Sequence, residues 1–573
     1  MSWLSESEPR VGLGCMRLST DEDRDEERAL ATIGAAVDAG VTVFDTARAY
    51  RDNERLLARA LRGVEGARLV TKGGMSRTDG GWVPDGRAKA IRSDCEASLE
   101  ALDGLPIDLY LLHTPDPRTP WRTSVRALAR LVDEGVVRRV GVANVNLRLL
   151  EEALELAPIT AVQVPLGPFD IAALRGGVVE RCAGRGIAVM AHSPLGGPRR
   201  AGRLARHDAL MRVADARGTT PAQVALAWLL SLSPEIVPIP GARRPETALS
   251  AAGAARLTLT VDERALLARE LGEARPERAR RRDAEVVLVM GVPGAGKSRV
   301  AEAYVARGYQ RLNRDERGGS LRELAAALDE LLAAGARRIV LDNTYLTRAS
   351  RSYAVDAASR YGASARCVWI DTPLAQAQVN LVERLLEQFG SLPSPEELRV
   401  LARTKQGMLA PTSQMRALRE LEPPSADEGF AAVEHVPFAR EPWHGRMHGG
   451  VFVAAAAMRQ PGWQNAVAHR DPAAPHLVFD WSPGGDAQDI APLAAALAAE
   501  VSGPVASALC PHPAGPPTCW CRPPLPGLPL AFAREHSVDP SRSVLLGASA
   551  AHRTLATTLD ARYVEMGSRP DSG

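Results

Sequence analysis

Short apolar runs alternate with longer segments of helical periodicity through the first half of the chain. The runs are rich in β-branched residues and end in polar residues, which is typical of strands in a parallel sheet. The segments between them, such as EERALATIGAAVDAG, place Ala and Leu at helical spacing. Eight such units within about 270 residues predict a (β/α)8 barrel. The predicted strands are VGLGCM, VTVFDTA, RLVTKGG, IDLYLLHT, VRRVGVANVN, ITAVQVPL, IAVMAHSP and IVPIPGA.

Two charged stretches that contain helix and strand breakers interrupt this pattern. They are GEARPERARRRD at 272–283 and REPWHGRMHGG at 440–450, and each precedes a new apolar strand. We therefore predict a multidomain α/β protein with domains at 1–275, 276–440 and 445–573. The second domain is expected to be a parallel α/β sandwich and the third a Rossmann-like α/β domain.

Composition and charge fit a soluble globular protein. The 573 residues are 45% hydrophobic and 24% charged, and the formal net charge is +2. This near-balance gives no electrostatic signal for long nucleic acid or an anionic membrane. No secretory leader or membrane-spanning run is apparent, and the seven cysteines are unevenly spread. A cytoplasmic protein without a disulfide framework is expected.

Polar residues end several of the predicted barrel strands, where barrel enzymes place their chemistry. Nearly the whole first domain resembles the aldo-keto reductase family, in family order. The resemblance implies metal-free reduction of a small carbonyl substrate by NADPH or NADH, or the reverse alcohol oxidation. It rests on GLGCMRL, VTVFDTARAYRDNE, LVTKGG, DLYLLHT, VGVANVN, AVQVPL, AHSPLGG and IPGARRPET.

Four residues of this resemblance form a coherent catalytic set. Carbonyl reduction needs a proton at the oxygen as hydride reaches carbon, and Tyr50 is the candidate acid. The ammonium of Lys72 is expected to lower the tyrosine pKa from its ordinary value of about 10. Asp45 is expected to hold the lysine, and His113 to orient the carbonyl oxygen.

The resemblance also implies a cofactor site with three departures from the family pattern. Asn144 and Gln163 match residues that hold the nicotinamide, and Ser193 and Leu195 match a loop near the phosphates. His192 replaces the stacking tyrosine, Gly241 and Ala242 replace Lys and Ser, and Thr247 replaces the arginine of the 2′-phosphate. Arg243 or Arg244 can substitute, so NADP is preferred while NAD stays open.

The second domain opens with EVVLVMGVPGAGKS, an apolar strand that runs into a glycine-rich loop and a helix. This is the G-x-x-x-x-G-K-[ST] phosphate-binding pattern in its required context. Its backbone N–H groups and the helix N-terminus are suited to ATP phosphates. Lys297 is expected to reach the β- and γ-phosphates and Ser298 to bind Mg²⁺. The glycines are Gly291, Gly294 and Gly296.

The rest of this domain resembles the kinase module of polynucleotide kinases. The resemblance rests on QRLNRDERGGSLREL, RRIVLDNTYLTRASR and CVWIDTPLAQAQVNLVERL. It implies that Asp315 is the catalytic base, that Asp342 helps to hold the metal, and that Arg384 binds phosphate. Gly318 stands where the family often has a substrate-phosphate arginine. The resemblance implies a nucleic-acid 5′-hydroxyl as the preferred acceptor, whereas the missing arginine at Gly318 favours the alternative of a small molecule or tRNA.

The third domain contains CPHPAGPPTCWCRPPLPG, which resembles the zinc loop of histidinol and heptose bisphosphate phosphatases of the haloacid dehalogenase class. Three thiolates and one imidazole complete a closed, structural zinc site. The predicted ligands are Cys510, His512, Cys519 and Cys521.

Phosphatase chemistry of this class needs a nucleophilic Asp, a second Asp, a Lys and an acidic Mg²⁺ ligand. The matching positions hold Ala454, Ala456, Pro523 and Ala548, so we expect an inactive phosphatase-like domain. Two interpretations remain: a reductase joined to a working kinase, or a nucleotide-binding scaffold. The sequence leaves the oligomeric state open.

Overall fold

A computed structural model describes residues 3–4, 8–78, 81–272, 283–404, 409–440, 443 and 445–567. The described residues group into two compact units. The first contains residues up to 272 and 348–352, and the second contains 283–347 and 353–567. Both later predicted domains fall in the second unit, and their separation stays a prediction. No helix among the described residues is long and apolar enough to cross a membrane.

The first unit is an eight-stranded parallel barrel, as the sequence predicts. The sheet order is β1-β2-β3-β6-β7-β8-β9-β10, and a parallel bridge between Gly14 and Gly241 joins the first strand to the last. The strands are Leu13–Gly14 (β1), Val43–Asp45 (β2), Arg68–Gly73 (β3), Ile107–Leu112 (β6), Val140–Ala143 (β7), Ile159–Pro165 (β8), Ala188–His192 (β9) and Ile236–Ile239 (β10).

Both faces of the barrel sheet are covered, which explains why its strands read as continuous apolar runs. Val43, Leu109 and Met190 pack inside the barrel, and a larger apolar layer lies between the strands and the helices. The helices are Met16–Thr20 (α1), Glu26–Asp38 (α2), Asn53–Ala60 (α3), Ala88–Ala101 (α4), Trp121–Asp133 (α5), Leu147–Leu154 (α6), Ala172–Arg175 (α7), Val178–Ala183 (α8), Gly197–Arg200 (α9), Asp208–Arg217 (α10), Pro221–Leu232 (α11), Pro245–Gly253 (α12) and Val261–Leu271 (α13).

An antiparallel hairpin follows β3, formed by Met75–Thr78 (β4) and Gly81–Pro84 (β5). The sequence analysis missed this hairpin. The one sequence feature that indicates the hairpin is the run TDGG between two short segments. Such residues favour a tight turn between strands. The hairpin carries Trp82, whose ring lies against the residues at the strand ends.

The second unit begins with a five-stranded parallel sheet in the order β12-β13-β11-β14-β15. Its central strand β11 carries the phosphate-binding pattern at its carboxyl end. The strands are Glu285–Met290 (β11), Gln310–Asn313 (β12), Arg338–Asp342 (β13), Ser364–Asp371 (β14) and Ala432–Pro437 (β15). The helices are Lys297–Val305 (α14), Arg314–Arg317 (α15), Leu321–Ala333 (α16), Arg348–Arg360 (α17), Leu374–Phe389 (α18), Pro395–Thr404 (α19) and Pro411–Glu420 (α20).

A second five-stranded parallel sheet follows, in the order β18-β17-β16-β19-β20. This alternation of strands and helices gives the α/β layers that the sequence predicts for the third domain. The strands are Val451–Ala454 (β16), His476–Trp481 (β17), Val505–Cys510 (β18), Val544–Gly547 (β19) and Arg562–Glu565 (β20). The helices are Ala455–Met458 (α21), Trp463–Ala468 (α22), Ala491–Ala498 (α23), Gly527–Glu535 (α24) and Ala550–Leu559 (α25).

Helix α18 links the two sheets of the second unit, because its side chains pack in the apolar core of each. Val382 and Leu385 of α18 belong to the same buried cluster as Phe452 of β16 and Leu530 of α24. An ion pair between Arg446 and Glu383 of α18, at 2.7 Å, lies beside this core. The strands of the first sheet of this unit pack in other buried clusters, and Ala377 near the start of α18 belongs to the one that contains Val287 and Val289 of β11. Helix α18 therefore contributes side chains to the cores of both sheets.

We predict that Leu385→Ala loosens both sheets of the second unit. Leu385 is 2% exposed, and truncating such a side chain costs about 2–5 kcal/mol through lost burial and a residual cavity. Hydrogen exchange of the full chain is expected to rise in peptides of β11 and of β16. Glu387→Ala, at an exposed position of the same helix, is the control. Faster exchange confined to one sheet would contradict coupling of the two sheets through α18.

Candidate active sites and metal centre

Lys72 is a buried cation at the carboxyl end of β3, and its side chain is 1% exposed. Its Nζ donates to both carboxylate oxygens of Asp45, at 2.7 and 2.9 Å, and to the carbonyl oxygen of Thr46 at 2.7 Å. Burial lowers the lysine pKa, but the charge and hydrogen bond of Asp45 together with the neighbouring Tyr50 and Cys15 outweigh burial, so the pKa of Lys72 is raised. The lysine therefore remains charged inside the barrel mouth.

Tyr50 lies over this ion pair in the loop after β2. The Nζ of Lys72 is 5.3 Å from the centre of its ring, and the rings of His113 and Trp82 pack edge-on against it at 5.7 and 6.0 Å. The predicted lowering of the Tyr50 pKa is wrong, because the net effect of its surroundings is to raise that pKa. Burial raises the pKa more than Lys72 lowers it, because only 8% of the residue is exposed.

His113 follows β6 and is neutral at physiological pH. Burial and the neighbouring Lys72 lower its pKa to about 3. Its Nδ1 has no hydrogen-bond partner among the described residues. The Nδ1 atom of His113 is thus a polar atom at the carboxyl ends of the strands that is open to a hydrogen bond with a ligand. Asp45, Tyr50, Lys72 and His113 are the four residues that the sequence predicts as the barrel's catalytic set, and the contacts above bring them together.

The predicted nicotinamide residues surround the same end of the barrel. The Nε2 of Gln163 donates to Asp45 at 2.7 Å, which adds a second restraint on the carboxylate. Asn144 has a positive φ of 57°, donates to the carbonyl oxygen of His113 at 2.9 Å, and lies 3.0 Å from the Nε2 of His192. Burial and Lys72 lower the pKa of His192 to about 4, so this ring is also neutral.

The remaining predicted cofactor residues are less closely connected. Ser193 has a positive φ of 50° just beyond β9, and Leu195 packs against the apolar layer outside the barrel. Gly241 forms the bridge that joins the last strand to the first. Arg243 is paired with Asp21 at 3.2 Å and with Asp23, so it is already engaged by carboxylates.

The phosphate-binding pattern forms a loop between β11 and α14. Gly291, Gly294 and Gly296 have φ values of 156°, 85° and 90°, and the last two lie in the left-handed region that favours glycine. Lys297 donates to the carbonyl oxygens of Gly291 and Val292 at 3.2 and 3.0 Å. Ser298 is exposed in the first turn of α14, where the N–H groups of the helix face the loop.

The other predicted residues of this site have different surroundings. Asp342 ends β13 in register with Val289 of β11, and it accepts hydrogen bonds from Asn313 and Arg311. Sequence reasoning missed both donors. Asp315 lies in α15, and its side chain falls outside the described residues. Arg384 is exposed on α18, one turn beyond Asn380, and Asn380 donates to Gly294 at 2.8 Å.

The four predicted zinc ligands converge on one point. The atoms that would bind a metal lie within 4.8 Å of one another, including a Cys510–Cys519 sulfur distance of 3.7 Å. The Nδ1 of His512 is 3.2 Å from the sulfur of Cys521. Tetrahedral zinc with Zn–S bonds of about 2.3 Å would separate its ligand atoms by roughly these distances, so the residues fit the ion.

The close spacing of the three thiols also favours a bound cation. Hydrogen bonds from the neighbouring thiols lower the pKa of Cys519 and raise the pKa of Cys521. For Cys510 the contact with Cys519 raises the pKa more than the contact with Cys521 lowers it. Three sulfurs this close cannot all carry negative charge without a compensating positive charge. A bound metal would allow all three to ionise.

The carboxyl ends of the third sheet lack the acidic residues of a phosphatase. Ala454 ends β16, and Ala548 follows β19. Asp480 in β17 is paired with Arg459 at 3.1 Å and accepts a hydrogen bond from the backbone of Trp481. The contacts around Asp480 are thus those of a structural carboxylate.

Comparison with known proteins identifies two parts of the chain. The aldo/keto reductase family model matches residues 10–269, and a model of an AAA domain matches 286–408. An uncharacterized oxidoreductase of Schizosaccharomyces pombe is 32% identical over 241 residues, which cover 40% of this chain and 76% of that protein. The aldo-keto reductase str7 of Strobilurus tenacellus is 31% identical over 284 residues, which cover 44% of this chain and 82% of that protein.

A solved structure of an aldo-keto reductase from Klebsiella pneumoniae in complex with NADPH is 29% identical. It aligns with 46% of this chain and 90% of its own, with a TM-score of 0.40. The AAA domain match marks a P-loop kinase-like domain after the barrel. By the family model and the two curated relatives, this chain belongs to the aldo/keto reductase family, and its barrel is that of an oxidoreductase.

Proposed function

We propose that the barrel reduces a small carbonyl compound, or oxidises the corresponding alcohol, with Tyr50 as the acid. The observation that carries this is the buried Lys72–Asp45 ion pair beneath the ring of Tyr50. A nicotinamide cofactor, when bound, supplies or accepts the hydride. The Klebsiella pneumoniae relative in complex with NADPH supports this cofactor class.

Each residue of the set has a separate task in proton transfer. The hydroxyl of Tyr50 donates its proton to the carbonyl oxygen, and the charge of Lys72 stabilises the phenolate that remains. Asp45 keeps the lysine charged and in place. Neutral His113 donates one N–H to the same oxygen and orients it. The raised pKa of Tyr50 keeps it protonated, which suits the direction of carbonyl reduction.

The cofactor residues follow from the same geometry. Asn144 and Gln163 are proposed to hold the nicotinamide amide, with Ser193, Leu195 and Gly241 near the phosphates. Because Arg243 is engaged by Asp21 and Asp23, the exposed Arg244 is the better candidate for a 2′-phosphate. This arrangement favours NADP over NAD.

For the second unit we propose an ATP-dependent kinase that acts on a hydroxyl, with a nucleic-acid 5′ end preferred. Lys297 and the loop glycines are the proposed phosphate-binding residues, and Ser298 and Asp342 are the proposed ligands of Mg²⁺. Asp315 is the proposed base. The guanidinium of Arg311 in β12, which is paired with Asp342, also brings a positive charge to the carboxyl end of β13. A small hydroxyl compound or tRNA is the alternative acceptor.

For the third sheet we propose a structural zinc site without phosphatase activity. Cys510, His512, Cys519 and Cys521 fill four coordination positions and leave no open one for water. The missing carboxylates remove the nucleophile, whereas zinc binding needs only the thiolates and the imidazole.

We predict that Tyr50→Phe lowers NADPH-dependent reduction of simple aldehydes by about a hundredfold or more, because the proton donor is lost. NADPH binding, followed by fluorescence, is expected to persist. Tyr110→Phe is the matched control, since the Tyr110 hydroxyl donates to Ile91 outside the active site. Unchanged turnover of Tyr50→Phe would reject the assigned acid.

We predict that Lys297→Ala abolishes transfer of labelled γ-phosphate from ATP, since the β- and γ-phosphates lose their cation. The acceptors to compare are 5′-hydroxyl oligonucleotides, tRNA and small alcohols. Label on oligonucleotides supports the preferred acceptor, and label on alcohols or tRNA supports the alternative. ATP binding without transfer to any of them would favour a nucleotide-binding scaffold.

We predict about one zinc per chain in the purified protein, measured by elemental analysis. Cys519→Ser is expected to lose most of this metal, because thiolate ligands dominate the site. Cys367→Ser, at a buried cysteine outside the cluster, is the control. Phosphatase activity that copurifies with the wild-type chain would contradict the inactive assignment.

A further inference from the structure

Three backbone carbonyls of the phosphate-binding loop accept hydrogen bonds from side chains on neighbouring segments. Gln414 of α20 donates to Pro293 at 2.9 Å, Asn380 of α18 donates to Gly294 at 2.8 Å, and Thr372 donates to Ala295 at 3.1 Å. Gln414 is fully buried, so this bond is shielded from water. The conformation of the loop therefore depends on the positions of α18 and α20.

Both helices are in turn connected to the third sheet. Helix α18 shares its buried core with β16 and α24. Helix α20 follows Leu409, whose carbonyl oxygen accepts a hydrogen bond from the indole N–H of Trp520 at 3.0 Å. The two residues are 111 positions apart in the sequence. The loop that holds the candidate zinc ligands thus contacts the segment that leads into α20.

Trp520 lies between two of the candidate metal ligands, Cys519 and Cys521, and is 1% exposed. Its carbonyl oxygen accepts a hydrogen bond from Gly527, the first residue of α24, at 3.0 Å. The side chain and the backbone of this residue are therefore both fixed. Because its two neighbours would be metal ligands, the orientation of Trp520 depends on the fold of residues 510–521.

We propose that residues 510–521 position the phosphate-binding loop through Trp520 and α20, so that ATP affinity in the second unit depends on this distant loop. Trp520 acts as a positioning residue. Its hydrogen bond holds the carbonyl group of Leu409, the residue that leads into α20. Gln414 of α20 in turn holds the carbonyl group of Pro293 in the phosphate-binding loop. A third sheet without phosphatase residues thereby serves the nucleotide site. This inference rests on the proposed nucleotide site.

The test removes one hydrogen bond and keeps the aromatic packing. Trp520→Phe is expected to raise the Kd of ATP about threefold to tenfold, measured by calorimetry on the full chain, because one buried hydrogen bond is lost. Bound zinc is expected to stay at about one per chain. Hydrogen exchange in the nucleotide-free protein is expected to rise in peptides that contain residues 291–298.

Trp481→Phe is the matched control. The indole of Trp481 donates to the carbonyl oxygen of His512 at 2.8 Å, so this variant also removes a tryptophan hydrogen bond at the same loop. The loss of this hydrogen bond is expected to affect only the third sheet and residues 510–521. ATP affinity and exchange of the phosphate-binding loop are expected to stay within twofold of wild type. An equal effect of both tryptophan variants would overturn the proposal.

Gln414→Leu removes the hydrogen bond between α20 and Pro293, at the end of the connection nearest the phosphate-binding loop. This variant also tests the proposal if Trp520→Phe does not fold. Chelation of the metal from wild-type protein is expected to raise the Kd of ATP, whereas chelation from Gln414→Leu is expected to add little. Equal changes in both proteins would overturn the proposal. If wild-type protein binds no ATP, the proposed kinase fails, and exchange of residues 291–298 in Trp520→Phe still decides the positioning inference.

Discussion

The buried charge of Lys72 is the constraint on which the barrel site depends. An ammonium that is 1% exposed is tolerated only with a charged partner and further hydrogen-bond acceptors. Asp45 on the adjacent strand supplies the charge, Thr46 supplies a carbonyl oxygen, and Gln163 restrains the carboxylate from the other side. The parallel barrel meets this demand because it brings the carboxyl ends of distant strands to one place.

The ion pair also sets the protonation of its neighbours. The positive charge of Lys72 lowers the pKa values of His113 and His192 further than burial alone, which keeps both imidazoles neutral. For Tyr50 the two effects oppose each other, and burial dominates. The site therefore combines a protonated phenol with neutral imidazoles around one fixed cation, and this distribution of charge suits proton donation to a carbonyl.

The phosphate-binding loop is organised differently, because its support comes from outside its own sheet. Its carbonyl oxygens are fixed by residues of α18 and α20, and α18 is buried against the third sheet. Beside the third sheet, Cys510, His512, Cys519 and Cys521 converge so that they could hold a metal ion.

The sequence by itself determined the eight barrel strands, the glycine-rich loop after β11 and the four candidate metal ligands that converge in the fold. These depend on local periodicity and on residue types at fixed spacing, which a chain displays without being folded. The hairpin with Trp82 had only a weak turn signal and was missed. The tertiary structure alone decided the net pKa shift of Tyr50, the pairing of Arg243 with two aspartates, and the contact of Trp520 with Leu409. Burial and partners at these positions come from residues far away in the chain, and only folding brings them together.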